Sequence, residues 1–117
     1  MTNDFQTLYS AAYAAGRNAA LRAEAAGNIQ MIRIAGSPQY APFPICGFAW
    51  VNVKPGTSAF AKWLIKENHA HKAYRGGVDI WISDYNQSYD LKFAHAAGMA
   101  TYLSENGITC CPDGRLD

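Results

Sequence analysis

Apolar side chains recur at steps of three and four residues in three stretches, and this spacing predicts three amphipathic helices. The first covers residues 4–26, and the second runs from a hydroxyl cap at 57–58 to about residue 68. The third begins at a cap on Ser88 and ends in the glycine turn at 106–108. The second half of the first helix carries a stripe of alanine and glycine, so we expect another backbone to approach it closely.

Shorter apolar segments with strand-like alternation separate these helices. We expect strands at 29–35, 45–53 and 78–83, a short one at 108–111, and a proline-rich extended loop over 38–44. The segment 45–53 is apolar on both alternating faces, which favours a central strand covered on both sides.

Two turns are predicted next to these strands, and the alternation along one strand predicts which way its side chains face. Lys54-Pro55-Gly56 predicts a type II turn with Gly56 at positive φ, and Pro112-Asp113-Gly114 predicts a final turn. In the strand at 78–83, the even-numbered residues face the core and Trp81 faces away. We expect a helix to cover Trp81, and the alternative is an exposed indole that serves as a binding anchor.

The predicted order, α-β-β-α-β-α-(β), indicates a single α+β domain over residues 1–117. We expect a mixed αβ sandwich in which three helices pack on a three- or four-stranded sheet. Strand–helix–strand connections favour at least one parallel pair. If the strands that end at Val53 and Ser83 are parallel neighbours, the polar loops after them meet at one sheet edge and form the best candidate site.

Composition and charge narrow the classes of function. The net charge is +1 and 16% of the residues are charged, so the chain lacks the overall charge typical of nucleic-acid or membrane-surface binding. A weakly charged surface favours self-association, which makes a homodimer an expectation.

The N-terminus and the cysteines indicate a cytoplasmic protein. Asp4 and its polar neighbours replace the basic start of a signal peptide, and no run of about 18 apolar residues predicts a membrane helix. Cys46, Cys110 and Cys111 are odd in number and lack CxxC spacing, so no disulfide framework is expected.

Two sequence blocks carry a resemblance to a known group of proteins. They are GFAWVNVKPGTSAFAKWL at 47–64 and GGVDIWISDYNQS at 76–88, followed by Gly107-Ile108 and Arg115-Leu116-Asp117. With these blocks the chain resembles small proteins encoded by tailed bacteriophages and prophages, over residues 4–26 and 45–117. The resemblance implies that the chain is encoded by a phage or prophage and acts in the host cell cytoplasm. It does not imply a mechanism. Such accessory proteins often bind and block host machinery, including CRISPR defence.

The segment 62–75 concentrates positive charge beside aromatic residues. It can meet an acidic protein surface, or it can hold a nucleic-acid backbone while bases stack on the aromatic rings. The alternative without a binding role is a solvated helix face with Trp63 in the core. The partner-binding candidates here are Lys62, Lys66, Lys72, Tyr74 and Arg75.

Two polar loops are further candidates. The first is the turn at 54–58, which leads into the second helix. Free N–H groups at a helix start can bind a phosphate or carboxylate, although ordinary capping explains this turn as well. The anion-binding candidates in it are Lys54, Gly56, Thr57 and Ser58. The loop after the strand at 78–83 is a candidate recognition surface, although such residues also form turns with their own backbone. Its candidate residues are Asp84, Tyr85, Asn86 and Gln87.

Metal and catalytic patterns are weak. His69-x-His71 has no third ligand at a suitable spacing, and His95 stands alone on the third helix. The three aspartates within 79–90 are not placed to converge, and the adjacent cysteines at 110–111 fit buried small hydrophobes. We therefore expect no catalytic residue, no metal and no cofactor.

The leading interpretation is a phage-encoded accessory protein, not an enzyme, that acts by stoichiometric binding to a host protein or protein complex. A host defence complex such as CRISPR would be its target. The alternatives are a nucleic-acid-binding module that uses the 62–75 cations, and a binder of a small anionic ligand, such as a nucleotide, at 54–58.

Overall fold

The computed structural model describes residues 2–26, 31–33, 40–44, 47–85 and 88–116. Within these ranges the chain forms the predicted α+β fold, with three helices and a four-stranded antiparallel sheet. Its elements are α1 (Thr2–Ala25), β1 (Met31–Arg33), β2 (Tyr40–Pro44), β3 (Gly47–Val53), α2 (Ala59–Lys66), β4 (His71–Lys72), β5 (Val78–Trp81), α3 (Tyr89–Glu105) and β6 (Cys110–Leu116). None of the helices in the described part of the chain is long and apolar enough to cross a membrane.

The sheet has the order β4-β5-β3-β6, and every neighbouring pair is antiparallel. The expectation of a parallel pair is therefore wrong. The connection from β3 through α2 does lead to a strand of the same direction, which is β4. The short β4–β5 hairpin then places β5 between β4 and β3, so that Val53 lies opposite Val78 and Trp50 opposite Trp81.

One face of this sheet forms the core. The odd-numbered residues of β3 from Ala49 to Val53 and the even-numbered residues from Val78 to Ile82 are buried there. α3 packs against β3 and β6, α1 packs against α3, and α2 adds Phe60, Trp63 and Leu64 to the same core. The predicted alternation of β5 is confirmed.

The other face of the sheet differs from the expectation. β3 is central, as predicted, but among the described residues no helix covers its second side. Phe48, Trp50 and Asn52 are half-buried there, and Trp81 is 40% exposed. The expected helical cover over Trp81 is therefore wrong, because the helices that pack on the sheet lie on its other side.

The segment between α1 and β3 contributes a separate pair of strands. β1 and β2 pair antiparallel, with Met31 opposite Pro44 and Arg33 opposite Tyr40. Part of the expected extended loop is therefore strand, which its prolines allow because an outer strand can leave a backbone N–H position unused. The remaining residues of the predicted strand at 29–35 and of the loop, with Cys46, lie outside the described residues.

The helix ends form as predicted. Ser58 Oγ accepts the Ala61 N–H at 3.2 Å, and Ser88 Oγ accepts the Leu91 N–H at 3.3 Å. Gly107 has a φ of 88°, and the Ile108 N–H donates to the Leu103 carbonyl at 3.0 Å, which closes α3.

Two predicted turns do not form where expected. Gly56 lacks a positive φ, and the Ser58 N–H donates to the Pro55 carbonyl at 3.0 Å, so the turn lies one residue further on and leads into α2. The expected turn at 112–114 belongs to β6, with Pro112 opposite Val51. An outer strand tolerates a proline because its free edge needs no N–H donor.

The small residues of α1 bring α3 very close, as predicted. A Cβ atom added at Gly98 would lie 2.7 Å from the Cβ of Ala19 and 2.9 Å from the Ala15 carbonyl oxygen. One added at Gly16 would lie 2.6 Å from His95 Cδ2. Backbone-to-backbone packing of this kind fixes the two helices relative to each other.

Candidate functional site

The outer face of α2 presents two of the predicted cations. Lys62 and Lys66 are exposed one turn apart, while the opposite face of the helix is buried against the core. Trp63 belongs to that buried face and is only 7% exposed. The sequence predicted cations beside an aromatic ring that could stack on a base. Within α2 only the two lysines of this combination are available to a partner, because Trp63 is buried.

The β4–β5 hairpin presents the rest of the 62–75 segment. Lys72, Tyr74 and Arg75 are all exposed, and Tyr74 is fully so. The hairpin is closed by the Ala73 N–H, which donates to the Gly77 carbonyl at 3.0 Å. Gly76 and Gly77 have φ values of 105° and 72°, which only glycine adopts without strain.

Lys54 lies beside the tip of this hairpin. A Cβ atom added at Gly77 would lie 2.7 Å from Lys54 Cγ, and it would also collide with the Val53 carbonyl oxygen. The Asn52 side chain donates to the Gly76 carbonyl at 3.1 Å. The tip is therefore held against the end of β3, and Lys54 extends the positive charge of the hairpin.

This arrangement corrects the predicted meeting of two loops. Because β3 and β5 are antiparallel, the end of one strand lies beside the start of the other. The 54–58 turn therefore adjoins the hairpin tip, whereas Asp84 and Tyr85 lie at the opposite end of the sheet.

We refer to the exposed cations of the segment 54–75, together with Tyr74, as the cationic surface. The segment 54–75 holds five of the chain's ten lysine and arginine residues but only one of its nine acidic residues, Glu67. A surface with such a local excess attracts negative partners, although the whole chain has a net charge of only +1. Its members are Lys54, Lys62, Lys66, Lys72, Tyr74 and Arg75.

The anion-binding candidates have structural roles of their own. The Ser58 hydroxyl accepts a backbone N–H as the cap of α2. Gly56 packs close to Gly77, and Thr57 and Lys54 are exposed. Capping thus explains the hydroxyl at 58, and anion binding at this turn stays a prediction.

Asp84 and Tyr85 make contacts within the fold. Asp84 Oδ1 accepts the Tyr13 hydroxyl at 2.6 Å, and Oδ2 accepts from Arg17 Nη2 at 3.0 Å. The Tyr85 hydroxyl lies 2.7 Å from His95 Nδ1. Asp84 and Tyr85 thus attach the loop to α1 and α3. Asn86 and Gln87 lie outside the described residues, and a partner-binding role for this loop stays a prediction.

His95 is the centre of a buried cluster that sequence analysis missed. It is fully buried, Tyr13 meets its ring edge-on with centroids 4.5 Å apart, and Nε2 has no hydrogen-bond partner among the described residues. Burial lowers the pKa of His95 to about 4, Asp84 acts in the opposite direction, and Arg17 lowers the pKa further. No local pattern predicts this cluster, because its members are far apart in sequence.

The face of the sheet that none of the described helices covers carries three aromatic side chains, which we call the aromatic face: Phe48, Trp50 and Trp81. The ring centroids of Trp50 and Trp81 are 4.6 Å apart, and those of Phe48 and Trp81 are 6.0 Å apart. The Arg115 guanidinium lies 5.4 Å from the Phe48 ring. Asp113 lies opposite Trp50 in β6, so it shares this face.

A row of polar side chains crosses the same face. Asp79 lies opposite both His71 and Asn52, and Asn52 lies opposite Cys111. Asn52 Nδ2 donates to Asp79 Oδ1 at 2.8 Å. His71 and Cys111 are separated by three strand spacings, about 14 Å, which is too far for an imidazole to activate a thiol. Among the described residues, no group of three metal-ligating side chains converges.

The cysteines that the structure describes differ from each other. Cys110 is half-buried, with Sγ 3.5 Å from Ser104 Oγ, and burial raises the pKa of its thiol. Cys111 is exposed. The expectation of buried small hydrophobes therefore fits Cys110 only in part and does not fit Cys111, because alternate residues of β6 face the helices and the aromatic face.

Comparisons with protein-family models, with curated proteins and with solved structures return no match.

Proposed function

We propose that this chain is a phage- or prophage-encoded accessory protein that acts by stoichiometric binding to an acidic surface of a host protein, such as a component of a defence complex. The cationic surface is the observation that supports the proposal most. It places five exposed cations on α2, β4, the hairpin tip and the adjoining turn. The phage origin is supported by the sequence blocks described above.

The rigidity of this surface favours specific binding. α2 is anchored by its buried face, and the hairpin tip is anchored by glycine contacts and by the Asn52 side chain. Because the backbone that carries these cations is already ordered, no segment of α2 or of the hairpin has to fold when a partner binds. Tyr74 offers an exposed aromatic ring at the tip, the residue type often enriched among energetically dominant contacts.

A protein partner suits this surface better than nucleic acid does. Binding of single strands combines cations with several rings on which successive bases stack. On the cationic surface only Tyr74 is available, since Trp63 is buried in the core. The three aromatic residues of the sheet lie on the face away from α2, where Asp79 and Asp113 are unfavourable for phosphates.

Charge reversal tests the proposal. The variant Lys62→Glu/Lys66→Glu/Lys72→Glu/Arg75→Glu and the wild-type chain are used as baits in bacterial host lysate, with and without nuclease. Because the four side chains are exposed, we expect the variant to fold normally and to lose the retained protein, whereas the wild type retains it after nuclease treatment. The control is Arg22→Glu, an exposed cation on α1 outside the surface.

Two results would contradict the proposal. One is equal retention of the same protein by the wild type and the reversed variant. The other is retention that disappears with nuclease, together with a gel shift of single-stranded DNA or RNA that weakens steeply with salt, which would favour the nucleic-acid alternative.

A further inference from the structure

The aromatic face leaves large apolar side chains open on the side of the sheet away from α2 and Lys72. Trp81 is 40% exposed, and Phe48 and Trp50 are half-buried beside it. Indole and phenyl rings contribute more per side chain to association than most other residues, because each removes a large apolar area from water. A face of this kind in the middle of a sheet indicates an interface.

The edges of the sheet are poorly suited to association. β4 is only two residues long and ends in an exposed lysine, Lys72. On β6, Pro112 has no N–H to donate, and the Gly114 N–H already donates to Asp113 Oδ1 at 2.7 Å. Short strands, charges and prolines at an edge discourage the addition of another strand. Association of the sheet is therefore expected through its face.

The charges on this face are self-complementary. Arg115 lies opposite Phe48, and Asp113 lies opposite Trp50, so both charges share the face with the aromatic rings. A two-fold axis in the plane of the interface, perpendicular to the strands at Gly114, would bring Arg115 of each copy over Asp113 of the other. The same operation would bring Trp50 of each copy over Phe48 of the other. A symmetric interface requires such self-complementarity.

We propose that two copies of this chain pack their aromatic faces together as a symmetric dimer. The two sheets stack with Phe48, Trp50 and Trp81 between them, and two Arg115–Asp113 pairs form across the interface. Because α2 and Lys72 lie on the helix-covered side of each sheet, Lys62, Lys66 and Lys72 stay outside the proposed interface. The dimer is thus a bivalent form of the protein.

Sedimentation velocity over a range of protein concentrations tests this dimer with single charge swaps. Arg115→Asp alone creates two carboxylate–carboxylate contacts across the interface, and Asp113→Arg alone creates two guanidinium–guanidinium contacts. We expect each variant alone to dimerise at least roughly tenfold more weakly than the wild type, since like charges across an interface are costly. An equimolar mixture of the two variants restores both opposite-charge pairs, and we expect it to dimerise again.

The mixture serves as its own folding control, because the same two proteins are measured apart and together. Trp81→Ser, at a partly exposed position, is expected to weaken the dimer as well, and Arg22→Glu is expected to leave it intact. A wild-type chain that stays monomeric at high concentration would overturn the dimer. So would single swaps that dimerise normally, or a mixture that stays monomeric. None of these outcomes affects the capture test of the cationic surface.

Discussion

His95 lies where α1, α3 and the loop after β5 meet, and its environment makes the stability of the fold depend on pH. The ring is fully buried, and burial lowers its pKa to about 4, from an ordinary value of 6.5. Between those two values the unfolded chain binds a proton that the folded chain does not. The contribution of neutral His95 to the stability of the folded state is therefore fully present above about pH 6.5, and it is lost as the pH falls towards 4.

Urea unfolding at pH 7 and pH 4 measures this effect. We expect the wild type to lose about 3 kcal/mol of stability through His95 in this interval, in addition to any change from carboxylates. His95→Gln lacks the titrating group. Its loss of stability between pH 7 and pH 4 should therefore be smaller than that of the wild type by about 3 kcal/mol. Equal pH dependence of the two proteins would show that His95 is not held neutral by the fold.

The His95 cluster also marks a limit of sequence analysis at the residue scale. The caps at Ser58 and Ser88 and the glycine end of α3 were predictable, because each depends on residues within a few positions. The contacts of His95 with Tyr13 and Tyr85 depend on how α1 and α3 pack. The same holds for Asp84, for which the sequence indicated a recognition loop or a local turn, and which contacts α1 instead.

At the scale of elements, the contact between α1 and α3 depends on glycine and alanine. Gly98→Ala places a methyl group 2.7 Å from the Cβ of Ala19 and 3.0 Å from the Gly16 Cα. Alanine favours a helix by about 1 kcal/mol over glycine, but overpacking against backbone atoms costs about 1–3 kcal/mol.

We therefore expect Gly98→Ala to lower the free energy of unfolding, or at best to leave it unchanged. Urea denaturation provides the measurement, and Thr101→Ala on the exposed side of α3 is the control, expected to change stability by less than about 0.5 kcal/mol. An increase in stability of about 1 kcal/mol for Gly98→Ala would mean that the helices are not packed this closely.

The elements themselves were largely predictable, but their pairing was not. Periodicity placed all three helices and the strands β3 and β5 within a few residues. β4 was missed because two residues carry no periodic signal, and its presence reverses the direction expected of β5. Pro112 and Gly114 looked like a turn, since their place in β6 depends on pairing with β3 rather than on local preference.

At the scale of the whole molecule, the lysines of α2 and β4 lie on the helix-covered side of the sheet, and the aromatic face lies on its other side. The run of cations at 62–75 was visible in the sequence, whereas the addition of Lys54 follows from the contact between its turn and the hairpin tip. The pattern left the cover of Trp81 open between a helix and exposure, because an alternating apolar strand has the same pattern whether one or two layers cover it. We propose the cations as the contact with a host partner and the aromatic rings as the contact with a second copy.

The most direct test of the account is a calorimetric titration of the retained host protein with the wild-type chain and with the Lys62→Glu/Lys66→Glu/Lys72→Glu/Arg75→Glu variant. The account predicts saturation at one bound partner per chain for the wild type, and at least a roughly tenfold weaker affinity for the variant, since opposite charges at the contact become like charges. Equal affinities for the two chains, or no saturation at a fixed ratio, would contradict it.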